Sequence, residues 1–178
     1  MIEKKAIELF VKPYYEDKDI MHDFSHIERV LLYVDKILNA GKYEVEKDIL
    51  TLATYLHGFI YREESQIESW LLGKGIPKEK VEKTIQVAWE SQKDHIPKTL
   101  EGKVLHDAHM IEGGKTYLVV KSLITGSVRG QTLEETISYI ENNIIGKGEC
   151  YLSEGISLYE EQQKYVADFI NDLKQGLR

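Results

Sequence analysis

The chain has 178 residues, 42% of them hydrophobic, which is enough for one sizeable core but not for two comfortable domains. Its 30 acidic residues against 23 Lys and Arg give a formal charge of −7. This balance argues against a general nucleic-acid or anionic-membrane binder, because such proteins present a basic surface. An acidic domain of this size is compatible with a homodimer.

The cysteine content and the N-terminal residues indicate a cytoplasmic protein. The single Cys150 cannot form an intrachain disulfide, and the first five residues lack the apolar core of a signal peptide. No apolar run approaches the roughly 20 residues that a membrane span requires. We therefore expect no membrane partner.

Apolar residues recur at helical spacing along most of the chain, which predicts an all-α protein with a single domain over residues 1–178. The predicted helices of the first half are 2–12, 26–41, 44–57, 65–72 and 78–91, with 59–64 as a loop. In the second half, Thr99 is predicted to cap a helix that breaks at Gly113 and Gly114. A helix over 117–124, a loop over 125–130, a helix that starts at the Thr132/Glu135 capping-box pair and a closing helix over 153–177 follow.

Three of the six histidines lie beside an acid. His22-Asp23 precedes His26 by one helical turn, and His106-Asp107-Ala108-His109 places a carboxylate between two imidazoles. Imidazole and carboxylate together suit a divalent cation such as zinc, iron, nickel or manganese. The spacing alone leaves open a helical domain whose histidines have no metal.

Three segments together resemble the HD superfamily of metal-dependent phosphohydrolases: 22–30 (HDFSHIERV), 56–58 (LHG) and 104–109 (VLHDAH). In that family a His, a His-Asp pair and a distant Asp bind one or two divalent metals in a helical bundle. The resemblance implies an HD-type helical bundle with His26, His57 and Asp107 as metal ligands. It also implies hydrolysis of a small phosphorylated molecule, such as a nucleotide.

The chain departs from the family pattern at several positions of this site. Gly58 stands where the family has the Asp of its His-Asp pair, and Glu90 stands where a His is usual. Asp107-Ala108-His109 replaces the usual Asp-Ala-Asp. We expect a replacement ligand from Glu90, His109 or Glu64, and we include Glu90 in the predicted metal site.

Three further residues are predicted to act in catalysis. His22 and Asp23 are expected to support the site by orienting an imidazole through its other ring nitrogen. Arg29 follows His26 by one turn, so it can point along the same helix face and contact a phosphate.

The leading hypothesis is therefore a metal-dependent phosphohydrolase of HD type. The alternative is a binding or regulatory module that kept the fold and lost the metal. A third hypothesis, an iron oxygenase with two His and one carboxylate as ligands, depends only on ligand types. Restoring the missing acid by Gly58→Asp is expected to raise metal affinity if the rest of the site is intact.

Overall fold

Helices account for the regular structure of the computed structural model, which describes residues 2–177. Within that range the chain forms a short 3-10 helix, Lys12–Tyr14, and nine α-helices, and no strand. The α-helices are α1 (Lys4–Val11), α2 (Ser25–Gly41), α3 (Lys47–Leu56), α4 (Ile60–Gly73), α5 (Lys78–Glu90), α6 (Leu100–Met110), α7 (Gly114–Val128), α8 (Leu133–Asn143) and α9 (Ser153–Gly176).

Local sequence signals set several helix ends as predicted. The Thr99 side chain accepts a hydrogen bond from the Gly102 amide at the start of α6. Thr132 and Glu135 form a reciprocal capping box at the start of α8. These side chains satisfy amides that have no partner within the helix, which confirms the two predicted helix starts.

Two predicted loops are wrong. The segment 59–64 belongs largely to α4, which has non-helical backbone angles at Glu63 but begins at the fully buried Ile60. The segment 125–130 extends α7 as far as Val128. Gly126 lies within α7, where a β-carbon would overlap the Thr136 side chain of α8, so glycine permits close helix packing here.

The helices enclose one main core and a smaller apolar cluster. The main core contains buried residues from α1 to α6 together with Cys150 and Leu152, and the smaller cluster lies between α7, α8 and α9. Helix α9 contacts α2 and α6 as well as α7, so it joins the two regions. The fold is an all-α single domain, as predicted. Among the described residues, no helix is both long and apolar enough to cross a membrane.

Candidate metal centre

Three histidines from three helices meet inside the bundle. His26 lies in the first turn of α2, His57 follows the last residue of α3, and His109 lies in the last turn of α6. One ring nitrogen of each histidine lies within 4.8 Å of the other two. His26 and His57 are buried, and His109 is partly exposed. We call this group the three-histidine cluster.

Each imidazole of the cluster presents Nδ1 to an oxygen. Nδ1 of His57 lies 2.6 Å from the Thr54 carbonyl oxygen, and Nδ1 of His109 lies 3.2 Å from that of Ser91. Nδ1 of His26 lies 2.9 Å from Glu112 Oε1. Since a carbonyl oxygen only accepts, Nδ1 of His57 and Nδ1 of His109 carry the proton, and their Nε2 atoms keep a free lone pair. Nδ1 of His26 contacts the Glu112 carboxylate without the geometry of a hydrogen bond, so this contact does not fix which His26 nitrogen carries the proton.

The Nε2 atoms of His26 and His57 are only 3.0 Å apart. Burial lowers the pKa of both histidines, and the neighbouring imidazoles lower that of His57 further. Burial, followed by His26 and Lys121, lowers the pKa of His109 to about 3. If Nε2 of His26 carries the proton, the 3.0 Å contact is an N–H···N hydrogen bond; if Nδ1 carries it, two lone pairs converge where a cation would bind them. The cluster therefore fits a divalent metal, which binds neutral imidazole whose second nitrogen is held by an oxygen.

Glu112 links the cluster to two basic side chains. Its carboxylate is buried, and Oε1 lies 2.7 Å from Arg29 Nε as well as 2.9 Å from His26 Nδ1. Oε2 lies 2.9 Å from Lys121 Nζ. Burial alone would raise the pKa of Glu112, but contact with His26 and Lys121 outweighs burial and holds this pKa well below its ordinary value. Glu112 is therefore an anion that fixes the His26 ring.

The structure places Asp107 away from the three-histidine cluster, contrary to the ligand set that the HD resemblance implies. The Asp107 carboxylate accepts hydrogen bonds of 2.8 to 3.1 Å from the backbone amides of Tyr151 and Leu152, at the start of α9. A β-carbon at Gly155 would overlap Asp107, so α9 approaches the carboxylate closely. Asp107 anchors the closing helix. The two-His, one-carboxylate set of the iron oxygenase hypothesis is likewise not assembled.

The two candidate replacement acids also lie outside the cluster. Glu90 is buried, and its carboxylate accepts from the backbone amide and hydroxyl of Thr99 and from the Gln86 amide. It therefore supports the start of α6. Glu64 accepts from the Trp89 indole on the surface. Of the three expected replacements, the structure brings only His109 to His26 and His57.

The three predicted catalytic residues have different environments. His22 pairs through Nδ1 with the Asp19 carboxylate, 2.9 Å away. Asp23 accepts from the amide and hydroxyl of Ser25 at the start of α2, so both His22 and Asp23 stabilise the segment that leads into this helix. Arg29 lies beside the cluster, where it binds Glu112 and stacks 4.6 Å from the Tyr117 ring centre.

Tyr15 fills the space beside Gly58. A β-carbon at Gly58 would overlap the Tyr15 hydroxyl and lie 3.0 Å from the ring carbon Cζ. Tyr15 is 2% exposed and packs edge-on against Phe24 and Phe59, so the ring has little room to move. Gly58→Asp alone would therefore collide with Tyr15, and the expected gain in metal affinity requires that Tyr15 also be changed.

Sequence reasoning did not find Glu112 as a partner of His26, nor Tyr15 as a neighbour of Gly58. Glu112 had a signal, because the HD resemblance expects an acid near this position. Tyr15 had none, since 42 residues separate it from His57 and only the fold brings the two segments together.

Comparison with known proteins shows the fold. No family model matches the chain, and no curated protein does. The structure of Bacillus subtilis YpgQ in complex with ADP has a TM-score of 0.75 at 18% identity, covering 98% of this chain and 97% of YpgQ. Lin1889 from Listeria innocua has a TM-score of 0.70 at 21% identity, covering 99% of this chain and 98% of Lin1889. A Lactobacillus plantarum protein has a TM-score of 0.78 at 13% identity, covering 99% of this chain and 98% of that protein. The chain thus shares the fold of these small all-helical proteins.

Removing the Asp107 carboxylate should destabilise the protein whether or not metal is present. We expect Asp107→Ala to lower the free energy of unfolding by about 3 kcal/mol, because buried backbone amides lose a charged acceptor. Urea unfolding in the presence of a chelator measures the effect, with the exposed Asp168→Ala as the control. A loss of stability that appears only with metal bound would instead assign Asp107 to the metal.

Gly58 and Tyr15 should be energetically coupled. Gly58→Ala is expected to destabilise the protein by about 1 to 3 kcal/mol, because the added methyl group overlaps a tightly packed hydroxyl. Tyr15→Phe should recover part of this loss in the double variant, as measured by urea unfolding. Gly73→Ala, where a β-carbon meets no atom within 4 Å, is the matched control. Additive effects of the two substitutions would contradict the proposed overlap.

The metal-free protein should lose stability as the pH falls from 7 to 5. Unfolded histidines take up protons near their ordinary pKa of 6.5, whereas the folded imidazoles, with lowered pKa, do not. The free energy of unfolding should fall by up to about 1.4 kcal/mol per pH unit for each such imidazole. Urea unfolding should show a shallower slope for His109→Gln and an unchanged slope for the exposed His95→Gln. Equal slopes in both variants would contradict the account.

Proposed function

We propose that this chain is a metal-dependent phosphohydrolase of HD type that acts on a small phosphorylated molecule such as a nucleotide. The residues that would hold the metal are His26, His57 and His109. The observation that carries the proposal is the convergence of three histidines from three helices, with one ring nitrogen of each within 4.8 Å of the other two. A bound divalent cation would supply an activated water and would polarise a phosphoryl oxygen.

The chain's own residues prepare this site for an anionic substrate. Glu112 holds the His26 ring, and the Thr54 and Ser91 carbonyls hold the other two rings, so the ligand nitrogens are oriented in advance. Arg29 and Lys121 both contact Glu112, which leaves a net positive charge beside the cluster. His109 is partly exposed, whereas His26 and His57 are buried.

A nucleotide is the substrate class with the most support. YpgQ, which shares the fold over almost its whole length, was crystallised in complex with ADP. Local positive charge in an otherwise acidic protein favours a phosphate group at the site. At 18% identity the comparison supports the class of ligand and leaves the choice of nucleotide to experiment.

The alternative function is a binding or regulatory module that works without metal. Gly58 in place of the family's Asp favours this alternative, because one oxygen ligand is missing. Furthermore, the ligand group found among residues 2–177 contains imidazoles only, and the carboxylates of Asp107 and Glu90 are engaged elsewhere. The two functions differ in one measurable property, the binding of a divalent metal.

The purified protein should bind one divalent metal ion per chain. We expect His26→Ala, His57→Ala and His109→Ala each to weaken binding by about 100-fold or more, because each removes a direct ligand. Glu90→Gln and the exposed His95→Ala should bind as the unchanged protein does. Isothermal titration of the chelator-stripped protein with Zn²⁺, Mn²⁺, Ni²⁺ and Co²⁺, checked by elemental analysis, measures these affinities.

Activity is tested on the same samples by the release of inorganic phosphate from a panel of nucleotides. Metal-dependent release that is lost in His109→Ala supports the phosphohydrolase. If no divalent metal binds after reconstitution, the phosphohydrolase proposal fails, and nucleotide binding without turnover would then support the alternative.

A further inference from the structure

The hydroxyl of Tyr15 is a buried polar group outside the proposed set of metal ligands. Its ring follows the 3-10 helix and packs against Phe24, which precedes α2, and Phe59, which precedes α4. The hydroxyl therefore lies next to Gly58, the residue that directly follows His57. This is the space that the side chain of an Asp at position 58 would enter.

The Tyr15 hydroxyl is buried and, among the described residues, has no hydrogen-bond partner. Buried hydroxyl groups nearly always have a partner, so the Tyr15 hydroxyl is a donor available to a ligand or to a water molecule. Burial raises the pKa of Tyr15, so the phenol stays neutral and able to donate.

A cation covers the same region. Lys18 Nζ lies 4.3 Å from the Tyr15 ring centre and donates a 3.2 Å hydrogen bond to the Gly58 carbonyl oxygen. Burial, followed by the charge of Arg62, lowers the pKa of Lys18, and the nearby Asp19 carboxylate opposes this shift. A neutral donor beside an ammonium group suits an anionic oxygen.

We propose that the Tyr15 hydroxyl donates a hydrogen bond to a phosphoryl oxygen of the substrate bound at the three-histidine cluster. Gly58 is then the residue whose lack of a side chain makes room for the hydroxyl. The proposal rests on the proposed function, because the phosphate it describes is held at the same cluster.

The test separates metal binding from phosphate binding in Tyr15→Phe, which removes only the hydroxyl oxygen. Isothermal titration measures the affinity for Zn²⁺ alone, and then the affinity of the protein loaded with one equivalent of Zn²⁺ for inorganic phosphate. Zn²⁺ affinity should stay within about 3-fold of the unchanged protein. Phosphate affinity should fall by about 10-fold or more, as expected for a lost hydrogen bond to a charged group.

Tyr14→Phe is the matched control. Tyr14 is the neighbouring tyrosine, but its hydroxyl donates to Gln66 and its ring stacks on Phe59, so its loss should change neither affinity. Thermal unfolding of both variants checks that the fold is intact.

Three results would overturn the proposed role of Tyr15. The first is a phosphate affinity of Tyr15→Phe equal to that of the wild-type protein, and the second is a fall in Zn²⁺ affinity as large as the fall in phosphate affinity. The third is a wild-type protein that binds Zn²⁺ but not phosphate. If the wild-type protein binds no metal, that result would instead overturn the proposed function, and the role of Tyr15 with it.

Discussion

The candidate site depends on the contacts that orient its three imidazoles through Nδ1. Thr54 and Ser91 supply backbone carbonyls, and Glu112 supplies a buried carboxylate that is itself held by two basic side chains. Because these acceptors lie at the ends of α3, α5 and α6, the packing of the bundle determines where the Nε2 lone pairs point. The geometry of the site therefore depends on the packing of the helices, since a shift of any of them would separate the ring nitrogens.

Periodicity and capping residues were sufficient to predict the all-α fold and most helix positions. They failed at 59–64 and 125–130, where burial of Ile60 and the close contact of Gly126 with α8 continue helices that local signals would have stopped. The two failures differ in origin. Tertiary packing stabilises a helical backbone at Gly126, whose own preference favours a loop, whereas Arg62, Glu63 and Glu64 are good helix formers.

The site was predictable in part. The positions of the family motifs predicted His26 and His57 as metal ligands, and His109 was one of three candidates to replace the missing ligand. Asp107 and His109 are two residues apart on α6, and such residues point about 200° apart around a helix, so only one of them can face the cluster. The sequence alone does not give the rotation of α6, because residues on most of its sides are buried. In the structure, His109 faces His26 and His57, and the Asp107 carboxylate accepts a hydrogen bond from the backbone at the start of α9.

The position of Tyr15 in the structure changes the interpretation of Gly58. The HD resemblance makes Gly58 the position of an expected metal ligand, whereas in the structure it is a small residue that accommodates a buried hydroxyl. The most direct test of the account is crystallography of the protein soaked with Zn²⁺, with anomalous diffraction to locate the metal. The account predicts one peak in contact with Nε2 of His26, His57 and His109. A peak at Asp107, or no peak near the three imidazoles, would contradict it.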